Sequence, residues 1–178
     1  MKEIYLVLTY TGTILSKIVK FYTKKEYSHV SISLDKELNQ MYSFGRLNPY
    51  NAFIGGFVHE YVDKGTFKRF YKTKAAIYRL EVSKEQYQRL IELINKFEKT
   101  KDLYSFNTIG LFAVALNIKI KRKRKLYCAE FIKYLLENAE IVNSLPEIIK
   151  PEDFAKIKNT QKIYTGKIQE YRKECCLN

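Results

Sequence analysis

From Ser28 to Leu34 the chain alternates polar and apolar side chains, and that period of two commits the segment to a β-strand. His29, Ser31 and Ser33 then share one face, and Val30, Ile32 and Leu34 the other. Asp35-Lys36-Glu37-Leu38-Asn39 reads as a turn, and Gln40 to Phe44 as the returning strand of an antiparallel hairpin. Ile4 to Thr9 reads as a buried strand. Phe57 to Val62, Ala75 to Val82 and Gln161 to Thr165 are further strands, with Asp63-Lys64-Gly65 turning the first of them. The stretch from Gly45 to Gly56, with Asn48-Pro49-Tyr50-Asn51 and Gly55-Gly56, reads as a loop.

Between these strands the period changes to that of a helix. Ile14, Leu15, Ile18, Val19 and Tyr22 recur at helical spacing. Ser83 with Gln86 three residues later is a capping box that opens a helix with the stripe Tyr87, Leu90, Ile91, Ile94 and Phe97. Tyr104 to Leu116 is a more apolar helix or looped segment, and a helix carrying Cys128 runs to about Ala139. Pro151 opens a short helix with Glu152 and Asp153 at its positive end. Strands and helices neither alternate strictly nor separate into one kind, so the expected class is α+β in a single domain, with the tail from about residue 166 peripheral.

Composition narrows the partners. The 178 residues are 46% hydrophobic and 15% aromatic, too apolar for disorder despite 29% charged residues. A net charge of +13 calls for an acidic partner: nucleic acid, anionic lipid or an anionic substrate. Met1-Lys2-Glu3 leading into a short apolar run reads as a first strand, not a signal peptide. Ile109 to Ile118 is too short to span a bilayer, which takes about 20 residues. Three cysteines make no disulfide framework, so a cytoplasmic location with Cys128 kept as a thiol is expected. The tail Cys175-Cys176-Leu177-Asn178 formally fits a prenylation pattern, with a poor final residue. Neither the cysteines nor the isolated histidines have metal-ligand spacing, and no cofactor motif is read.

Two residues stand out for chemistry. Cys128 sits where a helical pattern begins, and a thiol in a first helical turn feels the unpaired N–H groups, which favour thiolate. His29, on a strand, has the right side chain to exchange a proton with it. Each alone has a plainer reading, a small buried hydrophobe and a satisfied half-buried histidine. His59, in Phe57-Val58-His59-Glu60-Tyr61, competes as a base but is expected to face solvent.

Tyr27-Ser28-His29-Val30-Ser31-Ile32-Ser33-Leu34, then Met41-Tyr42-Ser43-Phe44-Gly45-Arg46, then Tyr127-Cys128-Ala129-Glu130-Phe131 carry a resemblance. Over nearly the whole chain the sequence resembles the circularly permuted NlpC-like (YiiX-like) branch of papain-fold cysteine hydrolases, in which the histidine strand precedes the cysteine helix. The resemblance implies a papain-like core in permuted order, an antiparallel sheet or barrel packed against helices. It implies Cys128 as nucleophile, His29 as base and then acid, and a polar residue on the strand after the histidine strand orienting the imidazole. Ser43 matches that position, with Gln40 as a substitute; related enzymes use His, Glu, Asn or Gln there, so serine is a departure. The backbone N–H of Cys128 would help hold an oxyanion. Peptide amides or lipid acyl groups are the implied substrates.

The basic run is the other signal. Lys119, Lys121, Arg122, Lys123, Arg124 and Lys125 follow the apolar stretch Ile109 to Leu116, and no acid occurs between Asp102 and Glu130. A solvated loop, an anionic membrane surface and nucleic acid all fit such a run. Its place just before Cys128 favours Lys121, Arg122, Lys123 and Arg124 as substrate- or surface-binding residues at a cleft entrance. A non-enzymatic basic module is the rival reading, and a fold that has lost its activity is a third.

Overall fold

The structure, a computed structural model, describes residues 1–177. Asn178, the last residue of the prenylation-like tail, lies outside them. The frame is a six-stranded antiparallel sheet of β1 (Lys2–Tyr10), β2 (His29–Ser33), β3 (Met41–Asn48), β4 (Asn51–Glu60), β5 (Lys74–Val82) and β8 (Gln161–Lys167). Its strand order is β4-β3-β2-β1-β5-β8. With β4 at one edge and β8 at the other, this sheet is open and not a closed barrel.

β1 explains its own sequence. Ile4, Leu6 and Leu8 enter one apolar cluster, while Tyr5 and Val7 enter another on the opposite face. A strand covered on both sides has no reason to alternate. The larger cluster lies under α3 (Lys84–Lys99) and α5 (Cys128–Asn138), joined by α1 (Ile14–Thr23) and α4 (Thr108–Ala115). The smaller lies under α2 (Gly65–Arg69) and α6 (Ile168–Leu177). The tail is therefore not peripheral: Ile168 and Tyr171 are buried in the second cluster, and Tyr171 Oη donates to the Lys36 carbonyl at 3.0 Å.

Local signals set several boundaries. Thr13 caps α1 through its hydroxyl, which accepts from the Ser16 N–H at 3.3 Å. Both halves of the Ser83–Gln86 capping box form, at 3.1 and 2.9 Å. The expected loop from Gly45 to Gly56 is instead the body of a hairpin. β3 runs on to Asn48, which pairs with Asn51 across the Pro49-Tyr50 turn, and Gly45 pairs with Gly56. The glycines answer to close packing rather than to a bend. A Cβ on Gly55 would lie 2.7 Å from the Gly45 carbonyl oxygen and 2.8 Å from the Phe106 Cβ.

A second, two-stranded parallel ladder, β6 (Ser105–Phe106) with β7 (Lys125–Leu126), ties the start of α4 to the residues just before α5. Asn107 completes the junction: its Oδ1 accepts from the Gly110 N–H at 3.0 Å, and its Nδ2 donates to the Ile120 carbonyl at 3.1 Å. Among the described residues no helix is long and apolar enough to cross a membrane.

Phe131 anchors α5 on the sheet, with ring centroids 5.1 Å from Phe44, 5.1 Å from Phe97 and 5.8 Å from Phe57. It is fully buried. Phe131→Ala is expected to cost about 3–5 kcal/mol in denaturant unfolding, while Tyr134→Ala, at the margin of the same helix, costs much less.

Candidate active site

Cys128 is the first residue of α5, and the chain enters it extended, with Tyr127 at ψ 170°. The Glu130 carboxylate reaches back to accept the Tyr127 N–H at 3.2 Å, and Tyr127 Oη donates to the Ile149 carbonyl at 3.2 Å. The first intrahelical bond runs from the Phe131 N–H to the Tyr127 carbonyl. Cys128 therefore stands in a first turn whose N–H groups have no intrahelical acceptor, at the positive end of the helix dipole.

His29 is the first residue of β2, opposite Thr9 of β1. Its approach is fixed from two sides: the Tyr27 N–H donates to Glu152 at 2.7 Å, and the Ser28 N–H to the Thr9 carbonyl at 3.0 Å. Glu60, the last residue of β4, takes hold of the ring. Its Oε1 and Oε2 lie 3.0 and 3.2 Å from His29 Nε2, and Ser31 Oγ donates to the same carboxylate. The side chains are 19% and 8% exposed. With Nε2 engaged, Nδ1 is the ring nitrogen left for Cys128, which lines the same cavity and interacts with the imidazole.

The geometry depends on a fork in the sheet. β2 and β3 pair only at Ile32↔Tyr42 and Ser33↔Met41. Beyond that point the strands part, and Ser43 Oγ donates to the Val30 carbonyl at 2.7 Å, replacing a ladder bond. Gly45 lies against the meeting point of His29 and Glu60: a Cβ there would be 3.3 Å from Glu60 Oε1 and 3.4 Å from His29 Cε1.

Burial works against a charged imidazole, but it is outweighed by the Glu60 carboxylate beside the ring and by the interaction with the Cys128 sulfur. Together they push the His29 pKa up from 6.5 to about 10. The ring is thus an imidazolium at neutral pH.

The pair borders a cavity of about 70 Å³, room for a few waters. Ser28 and Arg46 supply polar lining, while Leu15 and Val19 of α1, Phe106 of β6 and Leu111 of α4 close it with apolar groups. Cys128 is only 2% exposed, so any molecule meeting the sulfur would do so through this cavity.

The expected residues divide. Cys128 and His29, 99 positions apart in the sequence, come together. Ser43 does not orient the imidazole: it is wholly buried and its hydroxyl is committed to Val30. Gln40 is exposed in the turn, its N–H bound to Asp35 at 2.7 Å. The carboxylate that holds the ring is Glu60, one strand further out than expected. Its signal was a lone acid ending an apolar strand, next to His59. That histidine lies on the other side of β4, stacked on Tyr42 at 4.7 Å with Nε2 2.9 Å from the Asn39 carbonyl.

Lys121, Arg122, Lys123 and Arg124 are exposed, and none of them lines the Cys128 cavity. Lys121, Arg122 and Lys123 border a separate groove with Glu130, Lys133 and Glu147, so the cleft-entrance placement is corrected.

The chain matches no protein-family model, and no curated protein sequence is significantly similar to it.

Three outcomes follow from this geometry. Because folding raises the His29 pKa, the folded state binds the proton more tightly. The resulting stability is complete below pH 6.5 and is lost as pH rises toward 10. Glu60→Gln leaves burial dominant, so an NMR titration of the His29 ring should show its pKa fall by more than about two units. Gly45→Val should wedge the bridge open, costing about 1–3 kcal/mol in urea unfolding with a similar fall in the His29 pKa.

Proposed function

We propose that the chain is a cysteine hydrolase, a peptidase or amidase in reaction type, built as a papain-like core in the permuted order of the NlpC-like (YiiX-like) branch. The observation that carries this reading is the Glu60–His29 bond, which fixes an imidazolium within reach of a thiol at a helix start. An antiparallel sheet carrying the histidine before a cysteine helix agrees with the permuted order.

In this reading Cys128 Sγ attacks the carbonyl carbon of an amide or ester, and the carbonyl electron pair moves onto oxygen. N–H groups of the first turn of α5 receive that oxyanion. Collapse of the adduct breaks the bond to the leaving group, which takes the proton from His29, and a thioester remains on Cys128. Neutral His29 then draws a proton from water as the hydroxide oxygen attacks the thioester. The acid product departs and the thiolate–imidazolium pair is restored. Glu60 keeps the ring oriented and stabilises its charge throughout, the part a carboxylate plays behind a catalytic imidazole. Arg46 is a half-buried guanidinium on the cavity wall; its bond to Thr13 Oγ1 at 2.9 Å is to a neutral group.

A reactive ester probe should leave an acyl group on the Cys128 peptide, located by mass spectrometry. Cys128→Ala should remove that adduct while any slow labelling of Cys175 persists, and His29→Ala should slow adduct formation at least about 100-fold. An adduct on Cys128 that forms equally fast without His29 would overturn the proposal.

A further inference from the structure

The two helices that wall the Cys128 cavity both carry apolar side chains on faces turned away from the core. On α1, Ile14, Ile18, Phe21 and Tyr22 follow i, i+4, i+7, i+8 spacing and form one stripe. Ile14 is 80% exposed and Phe21 76%, while Ser16 and Val19 are buried. On α4, which contains no charged residue, Leu111 and Val114 are buried, yet Ile109 and Leu116 are more than half exposed and Phe112 is 38% exposed. Ile118 prolongs this surface beyond the helix. α1 packs against α4, so the two stripes belong to adjacent elements. Helices that are apolar toward both core and solvent are unusual in a water-bathed monomer.

The charge around these stripes identifies what covers them. Lys17, Lys20 and Lys24 lie along one flank of the α1 stripe, and Lys121, Arg122, Lys123 and Arg124 follow α4. No acid occurs between Glu3 and Glu26 or between Asp102 and Glu130. None of these seven cations has an ion-pair partner among the described residues. A second copy of a chain carrying +13 would press like charges together along such a face. Nucleic acid would satisfy the cations but leave Ile14, Ile109, Leu116 and Ile118 in water. An anionic bilayer accepts both, since apolar side chains enter the acyl boundary while long cationic ones reach up to the headgroups.

We infer that α1, α4 and the basic segment after α4 form a surface that docks the protein on anionic lipid membranes, with the Cys128 cavity between the two inserted helices. Leu15 and Val19 of α1 and Leu111 of α4 line that cavity from within, so the helices that meet lipid outside are those a substrate must pass. That the docked lipid supplies the acyl group rests on the hydrolase reading. The docking itself does not.

The test uses the full chain as Cys128→Ala, so the result is independent of any acyl chemistry. It is sedimented with phosphatidylcholine vesicles containing about 30% phosphatidylglycerol, and with pure phosphatidylcholine vesicles, at about 0.1 M NaCl. Partition onto the anionic vesicles should be at least about 10-fold stronger, and should weaken as salt is raised. Adding Phe21→Glu with Phe112→Glu should lower it by a further factor of at least about 10, with the thermal midpoint unchanged because both rings are exposed. Changing Lys121, Arg122, Lys123 and Arg124 to Gln should lower anionic binding several-fold without altering binding to the neutral vesicles. Equal partition onto the two vesicle types, or binding untouched by the double glutamate variant, would overturn the proposal. So would a dimer in sedimentation velocity that the double variant dissolves, because the face would then belong to a second copy.

Discussion

The hydrogen-bonded ion pair between Glu60 and His29 is the interaction on which the rest of the site turns. A buried imidazole left alone sheds its proton, because a low-dielectric surrounding penalises the charge. Here the carboxylate reverses that preference, and Ser31 satisfies a further lone pair of the same carboxylate. The two partners come from strands that are not neighbours, β2 and β4, with β3 between them. They meet because β2 and β3 separate early and because position 45 carries no side chain to fill the space. Ser43 closes the fork by taking the Val30 carbonyl, a structural service to the site rather than a chemical one.

The helix tip is positioned from the other direction. Phe131 locks α5 to an aromatic cluster over β3 and β4, and the short β6–β7 ladder holds the entry segment. Thiol and imidazole thus belong to separately rigid elements, the arrangement that keeps a reacting pair within productive distance. α1 and α4 then close the space around the sulfur with apolar side chains on one side while showing apolar side chains to solvent on the other. An enclosed thiol beneath two greasy, cation-flanked helices gives the proposed chemistry and the inferred membrane surface a common structural logic.

Much of this was legible in the chain because it is local. The alternation of Ser28 to Leu34, the Ser83 cap and the unbroken apolar β1 each follow from a few adjacent residues. Misreadings came where glycine or the chain end was taken as punctuation. Gly45, Gly55 and Gly56 serve close approach inside a hairpin, and Ile168 and Tyr171 become core only because the opposite sheet face needs covering. A strand sequence does not announce whether a second layer will pack on it.

By itself the sequence determined an α+β chain, the strand that presents His29 and the helix start that presents Cys128, since periodicity and capping act over one or two turns. Only the tertiary structure decided that Glu60 rather than Ser43 holds the imidazole, because that choice depends on where β2 leaves β3 and on which side chains reach across the gap. It also decided that the basic run borders a groove separate from the Cys128 cavity, and that α1 and α4 leave apolar side chains exposed. Exposure is a property of the packed whole, so no local pattern of residues contains it.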